Sequence, residues 1–413
     1  MAGGWTGGRR ALTAAAAVAV LALSAACSGD GPTAEADPSG SPGTSGTGSS
    51  ATPTIEENHT VPSPGPRQPG VVAPADIQVV GAKTLDPAKV AAVAALRGVT
   101  TMQLALSEST IENKSYSVAA VDPGAYRTFT PLKFADFQDA WDRVAGGELA
   151  LKERLTKQVP TDADGYLRLG TATDAPAVHV GAYVQQQPLV DIVVNETWVK
   201  TLGMVPDNAL LVRTGKKAPK DVAKKIHEIF GEDAAVTLVD KATRIGLQPG
   251  AKQIAVVTGS VAEAVGVYRY TVLSGGHIAP DPAWVREHIA TETVPLLGSV
   301  TCNKVVFTPL KAALQDIHEQ GLDDKIHPDQ FAGCYYPRFI AGTSTLSNHA
   351  FGLALDINAV ENQRGTVGLI DRGVVAIFQK WGFTWGGDWR YTDPMHFELN
   401  SIRTPQLESA KKK

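Results

Sequence analysis

Cysteine is scarce in this chain of 413 residues, with three in all. A four-cysteine zinc site and a disulfide-dense scaffold are therefore excluded. Basic charge is not in excess either. Lys and Arg number 38 against 42 Asp and Glu, a formal net charge of −4. That argues against a nucleic-acid partner, which calls for a basic face over most of a domain. Only one long uncharged apolar run exists, at residues 11–26. It is shorter than the roughly 20 residues of a membrane span, and no later run is long enough. The His-Glu-x-x-His pattern of a helical zinc protease is absent. Ser-x-x-Lys occurs at 409–412, in a charged tail (401–413) expected to fray, and carries no weight there.

What is present begins with the compartment. Arg9 and Arg10 precede the apolar run, and small residues follow it in Leu23-Ser24-Ala25-Ala26-Cys27. A positive stretch, a short apolar stretch and small residues before a break describe a secretory signal peptide, here residues 1–27. The break resembles a bacterial lipobox, which implies that Cys27 becomes a lipidated first residue. Ser24 stands where Leu is commoner. The alternative is ordinary cleavage nearby, with Cys27 lost or left free. The mature protein is thus expected outside the cytoplasm, anchored by lipid to the bacterial membrane and facing the cell wall, or secreted. Residues 28–74 are rich in Ser, Gly, Pro and Thr and read as a disordered linker, since they bury too little surface to offset their ordering entropy. Such a coil reaches about 35–40 Å.

At about 150 residues per domain, the length allows two to three folded units. Residues 75–275 read as a mixed α/β domain whose role the sequence leaves open. Asp86-Pro87 has the N-cap and first-turn chemistry of a helix start. Phe134, Phe137, Trp141 and Val144 would form one stripe on a single helix. Strands are expected over 177–184, 209–213 and 235–239, with an amphipathic helix at 218–230. His179 and His227 stand alone and read as surface or satisfied core groups. No Gly-rich phosphate loop or ligand cluster occurs there.

Chemistry-bearing residues gather further on. Helices are expected at 282–289 and at 309–320, the latter with Leu310, Ala313, Leu314 and Ile317 on one face. Then come Leu346-Ser-Asn-His-Ala-Phe-Gly-Leu-Ala-Leu-Asp-Ile-Asn, Trp385-Gly-Gly-Asp-Trp389 and Asp393-Pro-Met-His-Phe-Glu398. Catalytic zinc commonly takes three His or carboxylate ligands and leaves one position open. His349 and Asp356 suit a loop residue followed by one on the adjoining strand, with Gly352 permitting close backbone approach. In that strand Asp356 faces away from Leu353, Leu355 and Ile357. An acid in an apolar strand is costly unless it is paired or metal-bound. His396 lies in a second strand-like run and would close the set.

Ser347-x-His349-x-x-Gly352-x-Ala354-x-Asp356, followed by Asp393-x-x-His396, resembles the M15 peptidases. These include VanY-type D-alanyl-D-alanine carboxypeptidases and L-alanyl-D-glutamate endolysins. The resemblance covers about 280–400 and implies an α+β, hedgehog-like fold: a small antiparallel sheet with packed helices, preceded by the separate mixed α/β domain. It implies one Zn2+ per chain on His349, Asp356 and His396. It also implies Asp393 as general base and Arg338 as the group that steadies an oxyanion or a substrate carboxylate. Many carboxypeptidase members carry Glu where this chain has Asp393; the shorter acid is familiar among endolysin-like members. Glu398 is the next candidate base. Ser347 is a candidate to hydrogen-bond a ligand or substrate. Trp385 and Trp389 are candidates for the groove or for the core. The implied substrate is the peptide of peptidoglycan, with carboxypeptidase and endopeptidase action both open. The non-enzyme alternative is a wall-binding or sensor lipoprotein that has lost activity. Cys302 and Cys334 are expected to pair in an exported chain, tying the segment before the 309–320 helix to the loop that carries Arg338.

The lipobox reading has a direct test. The full chain should partition with membranes and the Cys27→Ser variant should not; equal partitioning of the two would refute it.

Overall fold

The computed structural model describes residues 59–403, apart from 173, 241, 243–245 and 341–342. Cys27, the signal segment, the first part of the expected linker and the Ser-x-x-Lys at 409–412 lie outside the described residues. Among the described residues no helix is long and apolar enough to cross a membrane.

The first part of the chain builds one nine-stranded sheet. Its strands are β1 (Ile77–Gly81), β2 (Thr100–Ile111), β3 (Lys114–Val121), β4 (Leu149–Lys152), β5 (Tyr166–Arg168), β6 (Ala177–Val184), β7 (Ile192–Asn195), β8 (Ala209–Arg213) and β9 (Ala234–Leu238). They lie in the order β5-β6-β4-β7-β3-β2-β8-β1-β9. The β3–β7 and β4–β6 pairs are parallel and the rest antiparallel. β8 shows why this sheet is covered on both faces. Alternate strand residues point to opposite sides, and here both sets are apolar. Leu210 and Val212 pack with Val222, Ile226 and Phe230 of the helix Pro219–Phe230. Ala209 and Leu211 pack with Trp141 and Val144 of the helix Gln138–Ala145. Asp86 caps the helix Pro87–Ala94 by accepting from Ala88 N–H, as its sequence suggested.

Two expectations for this part do not hold. The stripe from Phe134 to Val144 is not one helix but two, Leu132–Ala135 and Gln138–Ala145, with Phe137 exposed between them. The Trp141 indole N–H donates to Phe134 C=O at 2.8 Å, which closes the break. Residues 59–74, read as the end of the linker, lie against the sheet and its helices. His59 stacks on Trp198 with ring centroids 3.7 Å apart. Val61 N–H donates to Ala145 C=O, and Arg67 pairs with Asp136 at 2.6 Å. The attachment works through one stacked ring, polar side chains and main-chain hydrogen bonds, so hydrophobic content gives no sign of it.

The second part is built of small antiparallel sheets. β10 (Lys252–Val256), β11 (Val267–Val272) and β12 (Ile278–Pro280) form one, and β13 (Ile289–Val294) and β14 (Gly298–Asn303) form a hairpin. β15 (Ala354–Asp356), β16 (Phe383–Trp385) and β17 (His396–Leu399) form a third in the order β15-β17-β16. The helices Phe307–Glu319 and Arg372–Lys380 cover it, with Leu310, Leu314, Val374, Phe378 and Phe397 in one buried cluster. The fold is thus mixed α and β, with the large sheet preceding the small C-terminal ones. The strands over 252–280 share the C-terminal cluster, which begins at Ala255. Tyr268 of β11 shows how: its ring meets Phe351 edge-on and its hydroxyl donates to Ala350 C=O.

Cys302 and Cys334 form a disulfide with Cα atoms 5.4 Å apart and a sequence separation of 32. Closing a loop of that length stabilises the fold by about 3–4 kcal/mol in the chain-entropy treatment. Non-reducing peptide mapping should recover the linked peptides. The Cys302→Ala/Cys334→Ala double variant should lose a stability of about that size in denaturant unfolding. Two free thiols in the native protein would contradict the pairing.

Candidate metal centre

β15 and β17 pair in antiparallel register, with Leu355 opposite Phe397 and Asp356 opposite His396. Directly opposed residues put their side chains on the same face, about 5 Å apart at Cβ. Leu355 and Phe397 therefore turn together into the core, and Asp356 and His396 turn together to the other face. His349 arrives from the one-turn helix Asn348–Phe351, which Ser347 caps by accepting from His349 N–H. Gly352 then reverses the chain into β15 at φ 67°. A Cβ there would meet Asn303 N at 2.6 Å, so only glycine fits.

The ligand atoms of His349, Asp356 and His396 lie within 4.8 Å of one another. His349 Nδ1–H donates to Cys334 C=O at 2.8 Å, which leaves Nε2 for the cluster. That nitrogen is 3.3 Å from Asp356 Oδ2 and 3.2 Å from His396 Nδ1. His396 Nδ1 lies 3.0 Å from Asp356 Oδ1, while its Nε2 faces Glu398 at 3.5 Å. Each imidazole thus has one nitrogen facing an outside acceptor, hydrogen-bonded in His349 and at ion-pair distance in His396, and one turned to the carboxylate, the arrangement that orients histidine ligands. The disulfide takes part indirectly, since Cys334 supplies the carbonyl that fixes the His349 ring.

Charge favours a cation here. Burial acts to raise the Asp356 carboxyl, but the two imidazoles outweigh it and hold the group well below the usual carboxylate range. Burial acts to lower His396, yet Asp356 and Glu398 raise its affinity for positive charge. A divalent metal answers the same demand while the imidazole is neutral. Two histidines and one carboxylate are a common donor set for catalytic zinc. The residues fit the ion.

Asp393 stands beside the cluster. It is buried, and its Oδ1 has no hydrogen-bond partner. Burial pushes its carboxyl up; His396, Arg364 and His349 pull it down, and Asp356 adds to the rise. Its Oδ2 lies 3.8 Å from Arg364 Nε. The turn that carries it is closely built. His396 N–H donates to Asp393 C=O, and Asp393 N–H donates to Gly386 C=O. A Cβ at Gly386 would come within 2.5 Å of the Asp393 carbonyl. Trp385 Nε1–H donates to Pro394 C=O at 2.7 Å, so this indole is buried and braces the segment between Asp393 and His396. The Trp389 ring, half-buried, lies 5.0 Å from the His396 ring.

The other candidates fall elsewhere. Ser347 is fully buried, and its hydroxyl donates to Asn113 Oδ1 at 3.2 Å. Arg338 joins the site through its main chain, its carbonyl accepting from Ser347 N–H. Its guanidinium lies over the Tyr336 ring at 5.6 Å. The arginine that faces Asp393 is Arg364, which the sequence reading missed because it sits in a loop without a motif. Glu398 faces His396 Nε2, away from the cluster, and accepts from Asn348 Nδ2–H at 2.6 Å. Its position orients the ring. The alternation in β17 already put His396 and Glu398 on one face.

Three donors beside a buried carboxylate with a free oxygen are what a one-metal hydrolase requires. Residues 341–399 match the M15 peptidase family model described as D-alanyl-D-alanine carboxypeptidase. Over these residues the C-terminal region is similar to the M15 peptidases. The match spans His349, Asp356, Asp393 and His396; Arg338 stands just before it. No curated protein matches the chain.

Proposed function

We propose that the chain is a zinc-dependent peptidase that hydrolyses peptide bonds in the stem peptide or cross-link of peptidoglycan. The observation that carries this reading is the cross-strand pairing of Asp356 with His396. It assembles a three-donor cluster next to a buried Asp393, inside the region that matches a D-alanyl-D-alanine carboxypeptidase family. A zinc ion held by His349, Asp356 and His396 would polarise the scissile carbonyl and bring water ionisation toward neutral pH. Asp393, with one oxygen unengaged, takes the proton from the attacking water and passes it to the leaving amine. The burial that raises its proton affinity suits both halves of that task. Arg364 holds the carboxylate from the far side. Arg338 is assigned to the substrate carboxylate or to the developing oxyanion. The Trp389 ring forms a wall of the groove. A lipid anchor at Cys27, a spacer and a wall-facing location complete the proposal on sequence grounds alone, and they place the enzyme next to such a substrate.

Two variants separate ligand from base. Asp356→Ala removes a metal donor, so zinc affinity and peptide turnover should fall together. Asp393→Ala leaves the three donors in place, so one zinc per chain should remain while turnover drops about 10²–10⁴-fold. The measurements are metal analysis and a wall-peptide assay on the wild type and both variants. Loss of zinc from Asp393→Ala would make Asp393 a ligand, and full activity in that variant would move the base elsewhere.

A further inference from the structure

The β2–β3 hairpin does not end with its sheet. β8 pairs with β2 only over Thr100–Leu104, and β7 with β3 only over Val118–Val121. Beyond that the two strands pair with each other, down to Ile111 opposite Lys114, with one further bridge from Glu108 to Val257. The hairpin becomes an arm, closed by a two-residue turn in which Glu112 and Asn113 have φ 47° and 57°. Both residues in the left-handed region match a turn with the right-handed twist of the strands. The arm is polar yet buried: Ser107, Ser109, Thr110, Ser115 and Ser117 are all under 9% exposed. Ile111 and Tyr116 pack in the first sheet's own cluster with Leu155 and Leu167, and the arm also meets the C-terminal region. Thr258 N–H donates to Glu108 C=O.

The tip reaches the metal centre. Asn113 Oδ1 accepts from Asn348 N–H at 3.0 Å and from the Ser347 hydroxyl at 3.2 Å. These two residues begin the turn that carries His349. Thr110 Oγ1 donates to Asn348 Oδ1 at 3.4 Å. The Asn348 amide in turn donates to Glu398, which faces His396 Nε2. Glu112 Oε1 accepts from Arg390 N–H at 3.1 Å, next to Trp389. The arm therefore touches the mounts of both histidine donors and of the groove tryptophan. It also lines, through Ile111 and Glu112, a cleft of about 610 Å³ that Trp389 and Glu398 line as well.

We propose that this arm of the first sheet is part of the catalytic centre and that Asn113 is a positioning residue. Its side-chain oxygen holds the Ser347–Asn348 turn and so sets His349 directly, and His396 through Asn348 and Glu398. The inference rests on reading His349, Asp356 and His396 as the metal site. It gives the first sheet a role in the reaction: the arm adds a support for two of the three donors to those that the C-terminal region supplies itself.

The full chain supplies the test, with Asn113→Gly and Asn113→Asp beside the wild type. Glycine accepts the positive φ without strain and removes only the acceptor, so the arm should fold and the melting temperature without metal should hold. Aspartate tolerates the same backbone and restores an acceptor. Zinc affinity by chelator competition should fall about 10–100-fold in Asn113→Gly, the usual effect of losing an outer partner of a metal ligand. The visible spectrum of the cobalt-substituted protein should change with it, and kcat should drop more than KM rises. Asn113→Asp should recover zinc affinity and spectrum. Wild-type zinc affinity and spectrum in Asn113→Gly would overturn the proposal, as would an Asn113→Asp protein that behaves like the glycine variant. The zinc and cobalt readouts report on the arm even if wild-type protein leaves every wall peptide intact, a result that would overturn the peptidase reading alone.

Discussion

The pairing of Asp356 with His396 across β15 and β17 is the constraint on which the site depends. Strand side chains alternate with a period of two, so a slip of one residue would exchange the two faces. The register that buries Leu355 and Phe397 under the helices Phe307–Glu319 and Arg372–Lys380 is the same one that presents Asp356 and His396 together. Core packing thus sets how the three candidate donors face one another. An error in the site would also bring polar groups into the core, and burying an unpaired carboxylate is costly.

Around that pair the protein concentrates charge that would be unfavourable elsewhere. Asp356, Asp393 and Glu398 lie close together, with Asp393 and Glu398 buried. Each is held differently. Asp356 lies between two imidazoles, Glu398 accepts from Asn348, and Asp393 faces Arg364 across 3.8 Å while one oxygen stays unengaged. Glu398 Oε1 is likewise without a hydrogen-bond partner, but it lies on the carboxylate turned away from the cluster, whereas Asp393 Oδ1 belongs to the group assigned the proton transfer. Sites of catalysis are where such unsatisfied groups are expected.

Much of the centre was legible in the sequence. His349, Asp356 and His396 stand in a spaced motif, the alternation around each strand gives its face, and the expectation of export, read from residues 1–27, pointed to the 302–334 disulfide that the structure contains. What escaped depends on contacts without a local signature. Asn113 meets Asn348 across 235 positions of sequence, and nothing in Glu112-Asn113 announces where a hairpin tip will dock. Arg364 sits in a loop and approaches Asp393 only through the path of the chain. Residues 59–74 look like spacer because their attachment uses one stacked ring, polar side chains and main-chain hydrogen bonds. The helix drawn through Phe134 and Trp141 failed because an indole N–H took a carbonyl, an event that periodicity does not register.

The central claim is that this centre cuts peptide bonds of the wall and needs its metal to do so. Mass spectrometry of purified peptidoglycan fragments, after incubation with the full chain stripped of metal and then restored with zinc, tests it most directly. The account predicts no change with the stripped protein. With the restored protein it predicts a gain of one water per cut, seen as loss of a terminal alanine or as two new peptides. Fragments left intact by protein that has demonstrably bound zinc, or cut equally well by the stripped protein, would contradict it.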